Sequence, residues 1–372
     1  MATWLALLAP LAPPPLTCRC QAAVVMVART GQVLGGVHAY RQMDPASITK
    51  MMTAYLVIRA GHLNRPVRIS VRAADTPGSR MRLHAGQVYT RLDLLRGLLL
   101  RSGNDAAVAL AQSEPGGLAS FVARMNRTAR ALGAYNTHFV NPNGLTAPGH
   151  YSSAYDLALI ARAALALPLF QHLVSTRQDW IEELTGHQTR TLTNTNQLLE
   201  AFPGADGIKT GTTEAAGRCL AASATRGGVQ LIVVILRSRD RWQDAAAALT
   251  WGFSYFHPVE VARTHQVLGR IDVVNGRRRH VPLWTAQPLI VLRPAASRLS
   301  VLVTSPNRVP APIGAGTRLG TVYVLAGRQV LASAPLYTAT AVPRRFRPPP
   351  WPWSRLVSHD SRAHPFAAAD SR

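Results

Sequence analysis

Ser47 and Lys50 stand three residues apart in Pro45-Ala46-Ser47-Ile48-Thr49-Lys50. On a helix that spacing puts both side chains on one face. A serine hydroxyl is a weak nucleophile until a neighbouring base takes its proton, and a desolvated lysine amine can be that base. Composition singles out the same residue. Lysine and arginine together number 41, yet the only lysines are Lys50 and Lys209. Arginine keeps its proton in a protein, whereas a buried lysine can release it. In a chain that writes arginine for its other cations, these two positions keep an amine that can deprotonate. Lys209 lies in Asp206-Gly207-Ile208-Lys209-Thr210-Gly211-Thr212, and between the two lysines falls a third short pattern, Ser102-Gly103-Asn104.

These residues need elements to hold them. Pro45 suits a helix start, and the apolar run after Lys50 predicts a helix ending near Gly61. Leu92 to Leu100 predicts another helix, broken at Arg101-Ser102-Gly103. Asn104 or Asp105 then suits a cap for a helix over Ala106 to Gln112. Further helices are expected over Phe121 to Leu132, Leu157 to Leu167 and Trp242 to Tyr255. Ala22 to Val37 reads as a β-hairpin, and Val67 to Val71 as a strand. Cys219 to Ala224 and Val229 to Leu236 read as an antiparallel pair around Gly227-Gly228, which puts Lys209-Thr210-Gly211 at or near a strand edge.

The 372 residues are enough for two domains, and 47% hydrophobic with 16% charged residues fits a globular chain. Residues 4–16 form an apolar segment too short to span a membrane, and residues 1–21 are read as a secretory leader. The α+β region 22–257 is followed by short alternating strands over 258–342, read as a small all-β domain. The Pro- and Arg-rich tail 343–372 is expected to be disordered. Cys18 and Cys20 fall in the leader and Cys219 in an apolar run, so no disulfide framework is expected. No metal-ligand cluster, phosphate loop or cofactor motif stands out. The formal charge of +23 favours an anionic surface or polymer as partner. Nucleic acid is not expected, because the arginines are spread without interleaved aromatics; the densest groups are Arg277-Arg278-Arg279 and Arg344-Arg345-Phe346-Arg347.

The ordered triple S-x-x-K, S-x-N and K-T-G is the set used by penicillin-binding proteins and class A β-lactamases. With Asp44-Pro45-Ala46, Asn143-Gly144-Leu145, Asp206-Gly207-Ile208 and Leu249-Thr250-Trp251-Gly252-Phe253, the chain resembles the low-molecular-weight penicillin-binding proteins that are serine D-alanyl-D-alanine carboxypeptidases. The resemblance covers about residues 22–256, and more loosely extends to 342. It implies an antiparallel sheet flanked by helices, with a helical lobe. It implies Ser47 as nucleophile, Lys50 as general base, Ser102 as proton relay and Asn104 as a ligand for the substrate amide and Lys50. Lys209, Thr210 and Gly211 would line the far wall. The N–H groups of Ser47 and Thr212 would form the oxyanion hole. Arg241, or Arg239, would meet the substrate carboxylate. Peptidoglycan stem peptides are the implied substrate, β-lactams the implied covalent inhibitors, and a secreted or periplasmic site the implied location, with peripheral attachment to the outer face of the cytoplasmic membrane as an option.

A class A β-lactamase adds a glutamate four residues before an asparagine. Glu114, Glu182, Glu183 and Glu200 all lack that partner. An endopeptidase acting on crosslinks shares all three motifs and stays open. A non-catalytic cationic binder of wall polymer or membrane accounts for the charge but not for the triple.

Overall fold

In the computed structural model, residues 13–294, 298–327 and 329–346 are described. A five-stranded antiparallel sheet organises the catalytic region, in the order Val33–Val37, Ala22–Val27, Val229–Ser238, Gly217–Arg226, Ala205–Thr213. Its middle strands are continuous apolar runs because both faces are covered. Side chains on a strand alternate between faces, and two separate cores result. Val24, Met26, Ala221, Ile232 and Val234 join one core with the helical lobe. Val25, Val27, Leu220, Val233 and Ile235 join another with Ala245, Ala248 and Leu249 of helix Arg241–Tyr255. Each branched side chain fully buried in this way contributes about 1.5–3 kcal/mol.

The helical lobe carries Lys50–Ala60, Arg91–Leu100, Asn104–Ser113, Gly117–Ala131 and Ala154–Leu165. Helix Lys50–Ala60 is buried along most of its length, including Lys50 itself. Arg91, 2% exposed, donates to Glu114, whose other oxygen accepts from Arg124 at 2.8 Å. That buried cluster ties three of these helices together and engages both carboxylate oxygens of Glu114.

Several expectations shift. Ser47 lies in a 3-10 turn, Ala46–Thr49, and the α-helix begins only at Lys50. Val67 to Val71 divides into a short strand Pro66–Arg68 and a helical turn from Val71, because Ser70 caps that turn by accepting from Ala73 N–H. Neither Asn104 nor Asp105 caps its helix; Gly103 is the capping position. Asn104 is drawn off to Lys50, while Asp105 accepts from the N–H groups of Met81, Leu83 and Ala106.

Of the segment read as a leader, only residues 13–21 are described. Most of the apolar stretch 4–16 lies outside the described residues, but Leu16 is buried in the core under helix Arg241–Tyr255. Trp251 Nε1 donates to Pro14 O at 2.9 Å, Arg19 N to Asp244 Oδ1 at 2.9 Å and Gln21 N to Leu236 O at 3.1 Å. Cys18 and Cys20 are joined by a disulfide, and Cys219 is free and buried. Residues 14–21 thus pack as part of the domain.

The chain divides into two compact units. Among the described residues, the first takes those through Ala262 with those of 289–302 and 323–333; the second takes 263–288, 303–322 and 334–346. In the first unit strand His257–Ala262 pairs with Leu289–Arg293. In the second, Val267–Val274 pairs antiparallel with His280–Thr285 and parallel with Arg308–Pro310. Among the described residues, the region after Phe256 is therefore all strand and turn. Residues 343–346 are tied in by Arg277 N to Pro343 O and Arg345 N to Asn275 O. The expected disordered tail otherwise falls at 347–372, outside the described residues. Among the described residues no single helix is long and apolar enough to cross a membrane.

Candidate active site

Three segments converge on Lys50. Its Nζ lies 2.7 Å from Ser47 Oγ, 2.6 Å from Asn104 Oδ1 and 2.7 Å from the Asn143 carbonyl. Two of these partners are carbonyl-type oxygens and can only accept. A neutral amine satisfies both with its two N–H groups and keeps a lone pair for the Ser47 hydroxyl, which then donates to nitrogen. An ammonium would instead donate to all three. Burial and the charge of Lys209 push the Lys50 pKa well below the usual lysine range, against a smaller opposing pull from Asp105. Desolvation disfavours the charged form of a cation, so the environment shifts Lys50 toward the amine.

The turn that carries Ser47 is held from several sides. Asp44 Oδ1 accepts from Ala46 N at 2.9 Å. Ala46 has φ +46°, a left-handed conformation uncommon for a residue with a side chain. Loop 141–146 packs directly on this turn. At Gly144, φ +84°, an added Cβ would lie 1.9 Å from the Ala46 carbonyl oxygen, so only glycine permits the approach. Thr53 Oγ1 donates to Pro142 O at 2.6 Å, fixing the same loop to the Lys50 helix. His150 adds a second tie. Its Nδ1 accepts from Val140 N–H, so Nε2 carries the proton and donates to Thr49 Oγ1 at 3.0 Å. Burial lowers the His150 pKa to about 4, which keeps that ring neutral.

Asn104, the first residue of helix Asn104–Ser113, spans the site. Its Nδ2 donates to Pro77 O at 2.6 Å and its main-chain N to Ser79 O at 2.7 Å, which leaves Oδ1 facing Lys50. Ser102 sits two residues earlier, 6% exposed, with φ +61°. A serine held in the left-handed region is strained, and such strain clusters at functional positions. The hydrogen bonds of Lys50 go to Ser47, Asn104 and Asn143, not to Ser102.

Strand Ala205–Thr213 forms the outer edge of the sheet, which brings its main chain to the Ser47 turn. Gly211 lies against Ala46 and Ile48. Lys209 is fully buried, donates to Thr210 O at 3.1 Å, and has its pKa lowered to about 7 by burial and then by Arg241. Thr210 Oγ1 and Thr195 Oγ1 are 2.9 Å apart. Arg241 Nη1 donates to Gly211 O and Thr212 Oγ1, each at 2.9 Å, and to Cys219 O at 3.2 Å. Those bonds use Nη1 and leave Nη2 free of them. Arg239 is exposed, and its main chain bonds Arg19 and Arg218 instead. Of the two candidate arginines, Arg241 is the one beside the strand.

Asn143, Thr195, Pro77 and His150 were not singled out by sequence reasoning as parts of the site. Asn143 and Pro77 act through main-chain carbonyls, which no side-chain pattern announces; only the run Asn143-Gly144-Leu145 hinted at the first. Asn194 and Asn196 serve the loop: Asn194 Oδ1 accepts from Asn196 N and Asn196 Oδ1 from Leu198 N.

Comparison with known proteins gives a consistent result. Residues 9–240 match the model of the D-alanyl-D-alanine carboxypeptidase family, and residues 256–344 match the penicillin-binding protein 5 C-terminal domain. D-alanyl-D-alanine carboxypeptidase DacF of Bacillus subtilis is 33% identical over 86% of this chain and 85% of its own. DacD of Salmonella typhimurium is 35% identical over 89% of this chain and 88% of its own. Penicillin-binding protein 5 from Haemophilus influenzae superimposes with a TM-score of 0.76 at 29% identity, covering 90% of this chain and all of that one. Those matches run through every segment that meets at Lys50, and the chain belongs to the D-alanyl-D-alanine carboxypeptidase family, peptidase family S11.

Proposed function

We propose that this enzyme hydrolyses the terminal D-Ala-D-Ala bond of peptidoglycan stem pentapeptides through an acyl-enzyme on Ser47. The observation that carries the reading is the pairing of a buried Lys50 amine with Ser47 Oγ and two acceptor-only oxygens. Lys50 takes the Ser47 proton as Oγ attacks the scissile carbonyl. The tetrahedral oxyanion sits against the N–H groups of Ser47 and Thr212. As the carbon–nitrogen bond breaks, the proton held by Lys50 is relayed through Ser102 to the amine, D-alanine leaves, and Lys50 is again neutral. Water then attacks the ester, Lys50 again serving as base, and Ser47 is regenerated. Asn104 holds the Lys50 amine and the substrate amide. Lys209, Thr210 and Arg241 hold the terminal carboxylate, and Gly211 gives the acyl chain a bare strand edge.

A β-lactam offers the same carbonyl and labels the same serine. Substrates of this kind place the enzyme outside the cytoplasm. Catalysis is assigned to residues 22–257, and residues 258–342 to an accessory β domain. Purified enzyme should release free D-alanine from a pentapeptide and take up fluorescent penicillin. Ser47→Ala should lose both. Labelling retained by Ser47→Ala would sink the assignment, and cleavage of a crosslinked dimer in preference to the pentapeptide would make the enzyme an endopeptidase.

A further inference from the structure

The two densest arginine groups of the sequence lie far apart along the chain, and the second unit brings them together. A bridge between Gly276 and Arg344 pairs the two segments, with Arg277 N donating to Pro343 O at 2.9 Å and Arg345 N to Asn275 O at 2.7 Å. The approach is tight: a Cβ at Gly276 would lie 2.8 Å from both Val273 and Val342. Asn275, at φ 58°, makes the turn. Between the segments opens a cavity of about 750 Å³ lined by Val273, Asn275, Gly276, Arg277, Arg279, Arg344, Arg345 and Phe346.

Among the described residues no carboxylate lines it. The nearby acid, Asp272, is taken by His280 at 2.8 Å. Among the described residues none of the four arginines forms an ion pair. Four guanidiniums gathered without a counter-charge repel one another, and an anion entering the cavity relieves that repulsion. Each guanidinium offers a planar fork that matches phosphate oxygens. The volume exceeds what one small ion fills and suits a headgroup or short polyanion. Phe346, 75% exposed, puts an apolar ring at the rim.

We propose that this cavity is a binding site for phosphate-ester anions, supplied either by an anionic lipid headgroup or by a soluble phosphate chain. The charge is permanent, so binding should not vary between pH 6 and 9 through these side chains. It should weaken as salt screens the rim.

The test uses the full chain and two probes: vesicles of phosphatidylglycerol diluted in phosphatidylcholine, and inorganic tripolyphosphate. The variant replaces Arg277, Arg279, Arg344 and Arg345 with glutamine. A control replaces four exposed arginines elsewhere, Arg65, Arg72, Arg127 and Arg130, and so carries the same net charge. Penicillin labelling of Ser47 reports that each variant is folded. Affinity for at least one probe should fall about a hundredfold in the cavity variant and less than about threefold in the control. Loss confined to vesicles assigns a lipid headgroup; loss confined to tripolyphosphate assigns a soluble anion. Equal losses in both variants, no loss in either, or tighter binding of wild type to a DNA oligonucleotide than to both probes would overturn the proposal.

Discussion

The chain concentrates positive charge in two regions and treats it in opposite ways. Around Ser47 stand two buried lysines, each with its affinity for a proton lowered by burial and then by a neighbouring cation, Lys209 for Lys50 and Arg241 for Lys209. Around Gly276 the cations are arginines, exposed and without carboxylates. The difference follows from what each side chain can do. A desolvated amine becomes a base; a guanidinium stays charged whatever surrounds it. Where a proton must move, the chain keeps lysine and removes water. Where only charge is needed, it uses arginine and leaves water in place.

The hardest way to break the lysine site without touching a lysine is Gly144→Ala. The new methyl group would collide with the Ala46 carbonyl and displace the Asn143 oxygen that Lys50 meets. Stability should drop by about 2–4 kcal/mol in urea unfolding, and penicillin acylation should slow in the protein that remains folded. Unchanged stability would show that the loop does not position the base.

Lys209→Met sharpens the comparison more gently. Lys209 lowers the Lys50 pKa, so its removal should raise that pKa and move the acidic limb of the acylation profile to higher pH. Folding carries a second signature. Lys209 has a folded pKa of about 7 against 10.5 for the ordinary side chain, so between those values the unfolded chain holds the extra proton. Its contribution to stability therefore rises with pH across that window, by up to about 1.4 kcal/mol per unit for one proton. Lys209→Met should flatten that slope in urea midpoints taken from pH 7 to 9. An unmoved limb would mean that Lys209 does not act on Lys50, and an unchanged slope that folding does not lower the affinity of Lys209 itself for a proton.

Much of the site was legible because its residue types are rare here. Two lysines among so many arginines, and a serine at helical spacing from one of them, point to the nucleophile and base directly. The strand hairpin was legible too, since runs such as Val229 to Leu236 have no helical reading once the Gly227-Gly228 turn is seen. What stayed hidden was geometry carried by the main chain. The Asn143 carbonyl, the left-handed Ala46 and Ser102, and the 3-10 turn under Ser47 leave no pattern in side-chain types. Asn104 was legible through the S-x-N pattern as a partner of Lys50, but its local sequence also suited a helix cap, and the cap falls to Gly103 instead. Residues 1–21 read as a leader because the apolar run 4–16 is short and uncharged, while Ala245, Ala248 and Leu249, which share a core with Leu16, lie more than two hundred residues further along the chain.

The central claim is that Lys50 works by giving up its proton. The rate constant for penicillin acylation of Ser47 in Lys50→Arg, followed from pH 6 to 10, tests it most directly. Arginine keeps the charge and reach but cannot become a base, so acylation should fall about a thousandfold at every pH, with no recovery on the alkaline side. A variant acylated within about tenfold of wild type would contradict the account, since the cation rather than the amine would then suffice.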